Sequence, residues 1–365
     1  MHDLSFVIIE SVAQLRAKSL PWDALWERSE VTIPTARAEL LAQWVEQFAP
    51  KTKIRVIVVQ QGEKWVAALP LMSTKVRRVL SAGALCGSTW APGGALLVDP
   101  NIDNTKIMDL LIQAIQKLPW QLMWLQNIRL DLDCWRAFRE AASRANMAHD
   151  VDVEYSLGLL DTKREWEAYK ATWSKKHRNK MSNCERRLAK HGETRYVMRI
   201  PIGAEEVAAV MSQALKIEDR SWKGGAGSSV VKRGENAYLL RQAKQLAEWN
   251  QMEMHFLECN GIPVAFAYAC YSKGVRHLCK IGYNPEYASI SPGQLLFSRI
   301  LEQAHRNPEC QVVNFFGHLT HAISRWNPTS HSMGRIVLAP GRTLGRLALH
   351  FYLRTHRATL DNDKM

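Results

Sequence analysis

The apolar positions of this chain fall into two successive runs with the same order of elements. In the first, Trp22, Leu25 and Trp26, then Leu40, Leu41, Trp44 and Phe48, recur at helical spacing and predict two helices between residues 20 and 48. KIRVIVVQ and KWVAALPLM follow as two apolar strands turning at Gln61-Gly62, then an extended, glycine-bearing stretch over 79–99. An amphipathic helix over 105–118, the buried strand WQLMWLQNI and a helix over 131–146 complete the run. The second run opens with helices over 204–221 and 236–249. MEMHFLEC and IPVAFAYACY then read as a hairpin turning at Asn260-Gly261, a pair suited to tight turns, and VRHLCKIGYN is a third strand. Ser291 is placed as N-cap and Pro292 as first residue of a helix over 292–306, and CQVVNFF over 310–316 closes the run. Helices, hairpin, strand, helix and strand therefore occur twice, about 190 residues apart, a repeat of architecture with no short solenoid period. The prediction is a mixed α/β chain of two tandem domains, 1–158 and 159–365, each a mostly antiparallel sheet flanked by helices.

The two runs differ at one corner. The second has Ser291-Pro292-Gly293 before its helix, whereas the first has the acidic Asp99-Pro100-Asn101-Ile102-Asp103. A helix start offers free backbone N–H groups and a positive dipole end, so the Ser-Pro-Gly corner is either a plain helix cap or an anion cradle. If one half holds a phosphate, it is the second.

Charge sharpens that reading. The net charge of +13 calls for an anionic partner, and it concentrates between Lys163 and Arg195. There Met181, Cys184 and Leu188 recur at i, i+3 and i+7, predicting a helix with a narrow apolar stripe and a cationic remainder. Few acidic residues interrupt the segment, so intrahelical pairs do not account for the charge. It is a solvated face or a surface for polyphosphate, an acidic carrier or RNA. The seven cysteines form no Cys-x-x-Cys pair, which points to reduced, buried thiols and to no metal site. No apolar run approaches the roughly 20 residues of a spanning helix, and the N-terminus has no basic, signal-like region, so the expectation is a soluble, cytoplasmic protein. The basic amphipathic segment 342–358 reads as a docked terminal helix, with a membrane surface as the alternative.

Three motifs in this order resemble the CelD/BcsL-type acetyltransferases of the GNAT superfamily. They are Lys175-Lys176-His177-Arg178-Asn179-Lys180, Glu218-Asp219-Arg220-Ser221-Trp222-Lys223-Gly224, and Lys280-Ile281-Gly282-Tyr283 running through Tyr287 to Ser291-Pro292-Gly293-Gln294-Leu295-Leu296. Trp22-x-x-Leu25-Trp26 and Ala68-Leu69-Pro70-Leu71 fit the same group. The resemblance implies paired GNAT-like folds, as in the related Fem aminoacyl transferases, and acyl transfer from acetyl-CoA or another acyl-CoA to an amine. It places the pyrophosphate on Ser291, Pro292, Gly293, Gln294 and Leu295, and the pantetheine arm along Cys279, Lys280, Ile281, Gly282 and Tyr283. Two departures stand out: the usual multi-glycine loop is reduced to one glycine, and Asn314-Phe315 replaces the family's Asp-Phe, removing a carboxylate base.

Direct attack of an amine on a thioester needs positioning, a polarised carbonyl, a proton acceptor and a donor to the leaving thiolate. Glu218 and Asp219, and after them His255 or His318, are candidate bases; the two carboxylates are otherwise salt-bridge partners of Arg220 or Lys223. Tyr283 is a candidate proton donor or a buried, hydrogen-bonded tyrosine. Lys176, His177, Arg178, Trp222, Lys223, His255 and His318 are the candidate substrate or carrier contacts. The acceptor class is a small-molecule or saccharide amine. Two alternatives stand beside acyl-CoA-dependent N-acyl transfer: a donor on acyl carrier protein or tRNA bound through segment 163–195, and a non-enzymatic basic binding module. Acyl chain length, acceptor identity and oligomeric state stay open at this level.

Overall fold

The computed structural model describes residues 4–76, 80–88, 94–341 and 343–362, with Val76, Trp222 and 355–362 described by backbone alone. The chain divides into two compact units, one of Met1–Val31, Thr35–Tyr155 and His331–Met365, the other of Thr32–Pro34 and Ser156–Ser330.

In chain order the first unit contributes β1 (Leu4–Ile9), α1 (Val12–Ala17), α2 (Ser19–Arg28), α3 (Ala38–Phe48), β2 (Ile54–Gln61), β3 (Lys64–Val76), β4 (Leu80–Leu85), β5 (Leu97–Val98), α4 (Asn104–Gln116), β6 (Leu122–Arg129), α5 (Asp133–Arg144) and the start of β7 (His149–Asp161). The second contributes the end of β7, α6 (Trp166–Ala171), α7 (Lys175–Ala189), β8 (Thr194–Arg199), α8 (Gly203–Arg220), α9 (Trp222–Gly225), α10 (Asn236–Glu248), β9 (Met252–Cys259), β10 (Ile262–Ser272), β11 (Val275–Tyr283), α11 (Pro292–Arg306), β12 (Val312–Asn314) and α12 (His321–Ser324). β13 (Thr329–Leu338) and α13 (Leu344–Asn362) follow.

The repeated order is present in both units. In the first, β1, β2, β3 and β4 are antiparallel neighbours and β4 pairs β6 in parallel. In the second, β8, β9, β10 and β11 are antiparallel and β11 pairs β12 in parallel. Asn260 and Gly261 both sit at positive φ (50° and 75°), the left-handed pair that closes a two-residue hairpin. The linear division at residue 158 is corrected by β13, which pairs antiparallel with β6 and lies between β6 and β7, so His331–Met365 belongs to the first unit. The physical reason is the buried run Ile336–Leu338, which packs into the first unit's sheet. The end of β7, Leu159–Asp161, pairs instead with β12.

In the second unit, β11 pairs with β12 through Val275, Arg276 and His277 and then runs on to Tyr283, still paired to β10. Asn314 turns the chain away: its Oδ1 accepts from the Phe316 N–H at 2.9 Å, and Phe316 adopts φ 53°. The same side chain lies 3.2 Å from His277 Nδ1 through its amide nitrogen. Burial pushes the His277 pKa down to about 4, so the ring is neutral and can accept there. Among the described residues, no strand pairs with Leu278–Tyr283 on the β12 side of β11.

Candidate functional site

The bare strand edge ends beside the turn into α11. Ser291 occupies the N-cap position with φ 57° and ψ 53°, and Pro292 follows as the first helical residue. Ser291 does not cap with its side chain. The N–H groups of Gln294 and Leu295 return to the Ser291 carbonyl, and the Ser291 N–H bonds Ala288. Pro292 has no N–H, so the Gly293 N–H is the one the turn leaves for an incoming anion. A Cβ on Gly293 would stand 3.7 Å from Tyr283 Cδ1 and 3.8 Å from Ile281 Cδ1, which puts the helix start directly beside the end of β11.

Against this turn lies a cavity of about 570 Å³ whose lining includes Lys176, His177, Lys180 and Arg187 of α7, Ser289 and Ser291 of the turn, and His321 and Arg325. Four cations and no carboxylate line it, so its potential attracts anions. Two contacts hold α7 in place: Arg187 donates to the Ser289 carbonyl at 3.0 Å, and Arg299 of α11 pairs with Glu185 at 3.0 Å. The apolar stripe Met181, Cys184 and Leu188 is buried as its spacing demands, and His177 extends it. The His177 ring is 3% exposed, lies edge-on to Trp326 and Trp173 at 4.6 and 5.0 Å, and neither ring nitrogen has a hydrogen-bond partner. Burial, then Arg325 and Lys180, depress its pKa to about 4.

A second cluster lies along β11. Glu218 is fully buried; it accepts from Lys280 Nζ at 3.0 Å and the Val230 N–H at 3.1 Å, and Lys223 Nζ is 3.5 Å away. Lys223 also donates to the Ile281 carbonyl at 2.9 Å, and desolvation, then the Lys280 charge, lower its pKa against the pull of Glu218. The cluster carries one negative and two positive charges.

The structure thus brings Lys176, His177 and Ser291 together in the cavity, and Glu218, Lys223, Lys280 and Ile281 along the strand, with Tyr283 and Gly293 between. Others lie elsewhere or do different work. Asp219 leaves the cluster and accepts from the Ser229 hydroxyl at 2.6 Å. Arg178 donates to the carbonyls of Ala171 and Trp173, stabilising the end of α6. His255 is fully buried between Glu253 and Tyr196. His318 is exposed in the loop after β12. The Trp222 side chain lies outside the described residues. Pro292 and Leu295 are core residues, Gln294 accepts from Trp326 Nε1 at 3.1 Å, and a Cβ on Gly282 would meet Phe266 at 2.5 Å. Cys279 donates to the His277 carbonyl at 3.4 Å. Lys180 and Arg187 belong with Lys176 and could have been found as one cationic helix face; no local signal marked His321, Arg325 or Ser289.

The corresponding corner of the first unit is closed. Asp99 is fully buried, paired with Arg28 and Lys64 at 2.8 Å, and accepts from the Asn101 N–H at 3.1 Å. Burial alone would raise its pKa, but Lys64, the Asn101 N–H and Arg28 outweigh it and hold it near 2. A Cβ on Gly83 of β4 would fall 2.2 Å from the Trp120 ring, which covers the strand there.

Residues 175–321, which include α7, the β11 cluster and the turn into α11, match the family described as "Acetyltransferase (GNAT) domain". This stretch is similar to that family, over less than half of the chain. The mixed α/β fold around it is shared with solved structures at low identity. FemX is similar at TM-score 0.60 and 9% identity, over 91% of this chain and 96% of that one. A conserved protein of unknown function from Bacteroides thetaiotaomicron VPI-5482 is similar at 0.57 and 12%, over 91% and 100%. The C-terminal domain named for a lysylphosphatidylglycerol synthetase of Agrobacterium fabrum is similar at 0.52 and 13%, over 93% and 95%. At these identities the likeness is one of fold. No curated protein matches the sequence. Among the described residues, no group of three or more His, Cys, Asp or Glu is placed to hold a metal, and no helix is long and apolar enough to cross a membrane.

Proposed function

We propose that this chain is an N-acyltransferase of the CelD/BcsL type, moving an acyl group from a coenzyme A thioester to an amine in the second unit. The observation that carries the reading is the meeting of the bare β11 edge with a cavity lined by four cations at the start of α11. An extended donor with phosphates at one end and amides along its arm matches both parts. Its phosphates fit against Lys176, Lys180, Arg187 and Arg325, with the Gly293 N–H, and its arm lies along Leu278–Tyr283 as a strand would. The amine attacks the thioester carbonyl carbon, the carbonyl oxygen gains charge, and collapse expels the thiolate. Lys223, held at the strand edge, supplies positive charge to that oxygen. Tyr283, packed beside Gly293, borders the phosphate end of that arm, and the expelled thiolate takes the proton that the attacking amine gives up. Glu218, bonded to two lysines and a backbone N–H, is the counter-charge that positions them and is a poor base in that state.

Thiol release from a panel of acyl-CoA chain lengths, with amine and aminosugar acceptors, tests the reading. Turnover that falls at least about tenfold in kcat for Lys223→Met, with KM little changed, is expected. No thiol release with any amine would sink it. The exposed cationic side chains of α7 favour one second reading, an aminoacyl-tRNA donor. It predicts affinity for tRNA that falls steeply with salt and is lost on reversing Lys176, Arg186 and Lys190.

A further inference from the structure

The C-terminal helix α13 presents two unlike surfaces. Its inner side is built into the first unit: Leu349 and Tyr352 are 4% and 7% exposed and pack with Ala82, Leu122, Val337 and Ala339. Tyr352 meets the Trp124 ring edge-on at 5.0 Å, and Arg346 donates to the Asn146 carbonyl at 2.8 Å, so the helix is anchored. Its outer side holds two adjacent stripes. Leu344, Leu347 and Phe351, at i, i+3 and i+7, are 70%, 65% and 57% exposed. Arg346, His350 and Arg354, at i, i+4 and i+8, are exposed alongside them. Between Leu344 and Arg354 the sequence has no Asp or Glu.

Three large apolar side chains, each more than half exposed beside a row of basic ones, are out of place on a surface that only faces solvent. A partner protein with an acidic rim would cover the basic row but needs a shaped surface to take three protruding side chains. A lipid surface takes both without shape matching: the apolar stripe enters the acyl boundary while the basic stripe stays among anionic headgroups. The chain has no spanning helix among its described residues, so such contact is peripheral. We propose that the outer face of α13 is a membrane-association surface that seats the protein on anionic lipid. This assignment concerns the first unit and stands independently of the donor bound by the second.

Flotation of the full chain with vesicles tests it, comparing equal parts phosphatidylglycerol and phosphatidylcholine with phosphatidylcholine alone, at low and at moderate salt. The wild type is expected to float with the anionic vesicles and to release as salt rises. Leu347→Ser/Phe351→Ser and, separately, His350→Glu/Arg354→Glu should each weaken partition by about tenfold or more, while melting temperature and thiol release stay at wild-type values. Failure of the wild type to float with anionic vesicles overturns the proposal. So does flotation that both doubles leave intact but that charge reversal of α7 abolishes. A dimer seen by light scattering and dispersed by Leu347→Ser/Phe351→Ser would also overturn it, since a second copy would then occupy the face.

Discussion

Glu218 shows how little a residue's type says about its task. As a carboxylate before a Trp-Lys-Gly-Gly loop it is a candidate base or an ion-pair partner. Folding buries it completely and surrounds it with Lys280, Lys223 and the Val230 N–H. Removing one partner from such a cluster leaves buried charge uncompensated, so Glu218→Ala should lower unfolding free energy by about 3 kcal/mol in a urea titration. Glu218→Gln, which can still accept from Val230, should lose less. His177 and His277 make the acid side of stability legible. Both are held neutral with pKa values near 4, against about 6.5 unfolded. The unfolded chain therefore binds more protons than the folded one in that interval, and stability present above pH 6.5 is lost as pH falls toward 4. His177→Phe, which preserves the edge contacts to Trp173 and Trp326, should flatten the fall in melting temperature between pH 7 and pH 5. An unchanged slope would place the acid sensitivity elsewhere.

At the scale of elements, hairpins and amphipathic helices were readable because their signals are local: the Asn260-Gly261 pair, the stripe of α7, Ser291-Pro292 at the start of α11. What was not readable is where strands stop pairing. Nothing in CQVVNFF announces that β12 ends after Asn314, because that end depends on a side chain bonding both Phe316 and His277. An aspartate could accept from Phe316 but could not donate to a neutral His277. Asn314→Asp should therefore destabilise the divergence and depress turnover even though it restores a carboxylate. The cavity was likewise invisible, since its wall comes from α7, the turn at Ser289–Ser291 and Arg325, distant in sequence. Gly293 gives a clean contrast at this scale. A methyl there meets only ordinary contacts at 3.7 and 3.8 Å, so Gly293→Ala should fold and melt as wild type, while Gly293→Glu places negative charge at the same turn.

For the molecule as a whole, the architectural repeat was legible and the chain's route through it was not. β13 carries no turn or charge signal that assigns it to the first unit; tertiary packing decides, because its partners are β6 and β7. Gly334 marks that dependence, since a Cβ would stand 2.1 Å from the Asp152 carbonyl and 2.7 Å from Leu130. Gly334→Val should open the first unit to limited proteolysis well before the second, giving fragments that retain residues 160–325. Simultaneous loss of both units would show that they unfold as one. The same scale explains the asymmetry between the corners. Asp99 is consumed by Arg28 and Lys64, whereas the cations around Ser291 face a cavity with no carboxylate to neutralise them.

This cavity and the β11 edge together are proposed to hold a phosphate-bearing acyl donor. Isothermal titration of coenzyme A and of acetyl-CoA into the full chain at low salt measures it most directly. The account predicts saturable binding at one site, unaffected by Gly293→Ala and abolished by Gly293→Glu or by Lys180→Glu/Arg187→Glu. Absence of heat with the wild type, or binding that survives those charge reversals, would contradict it.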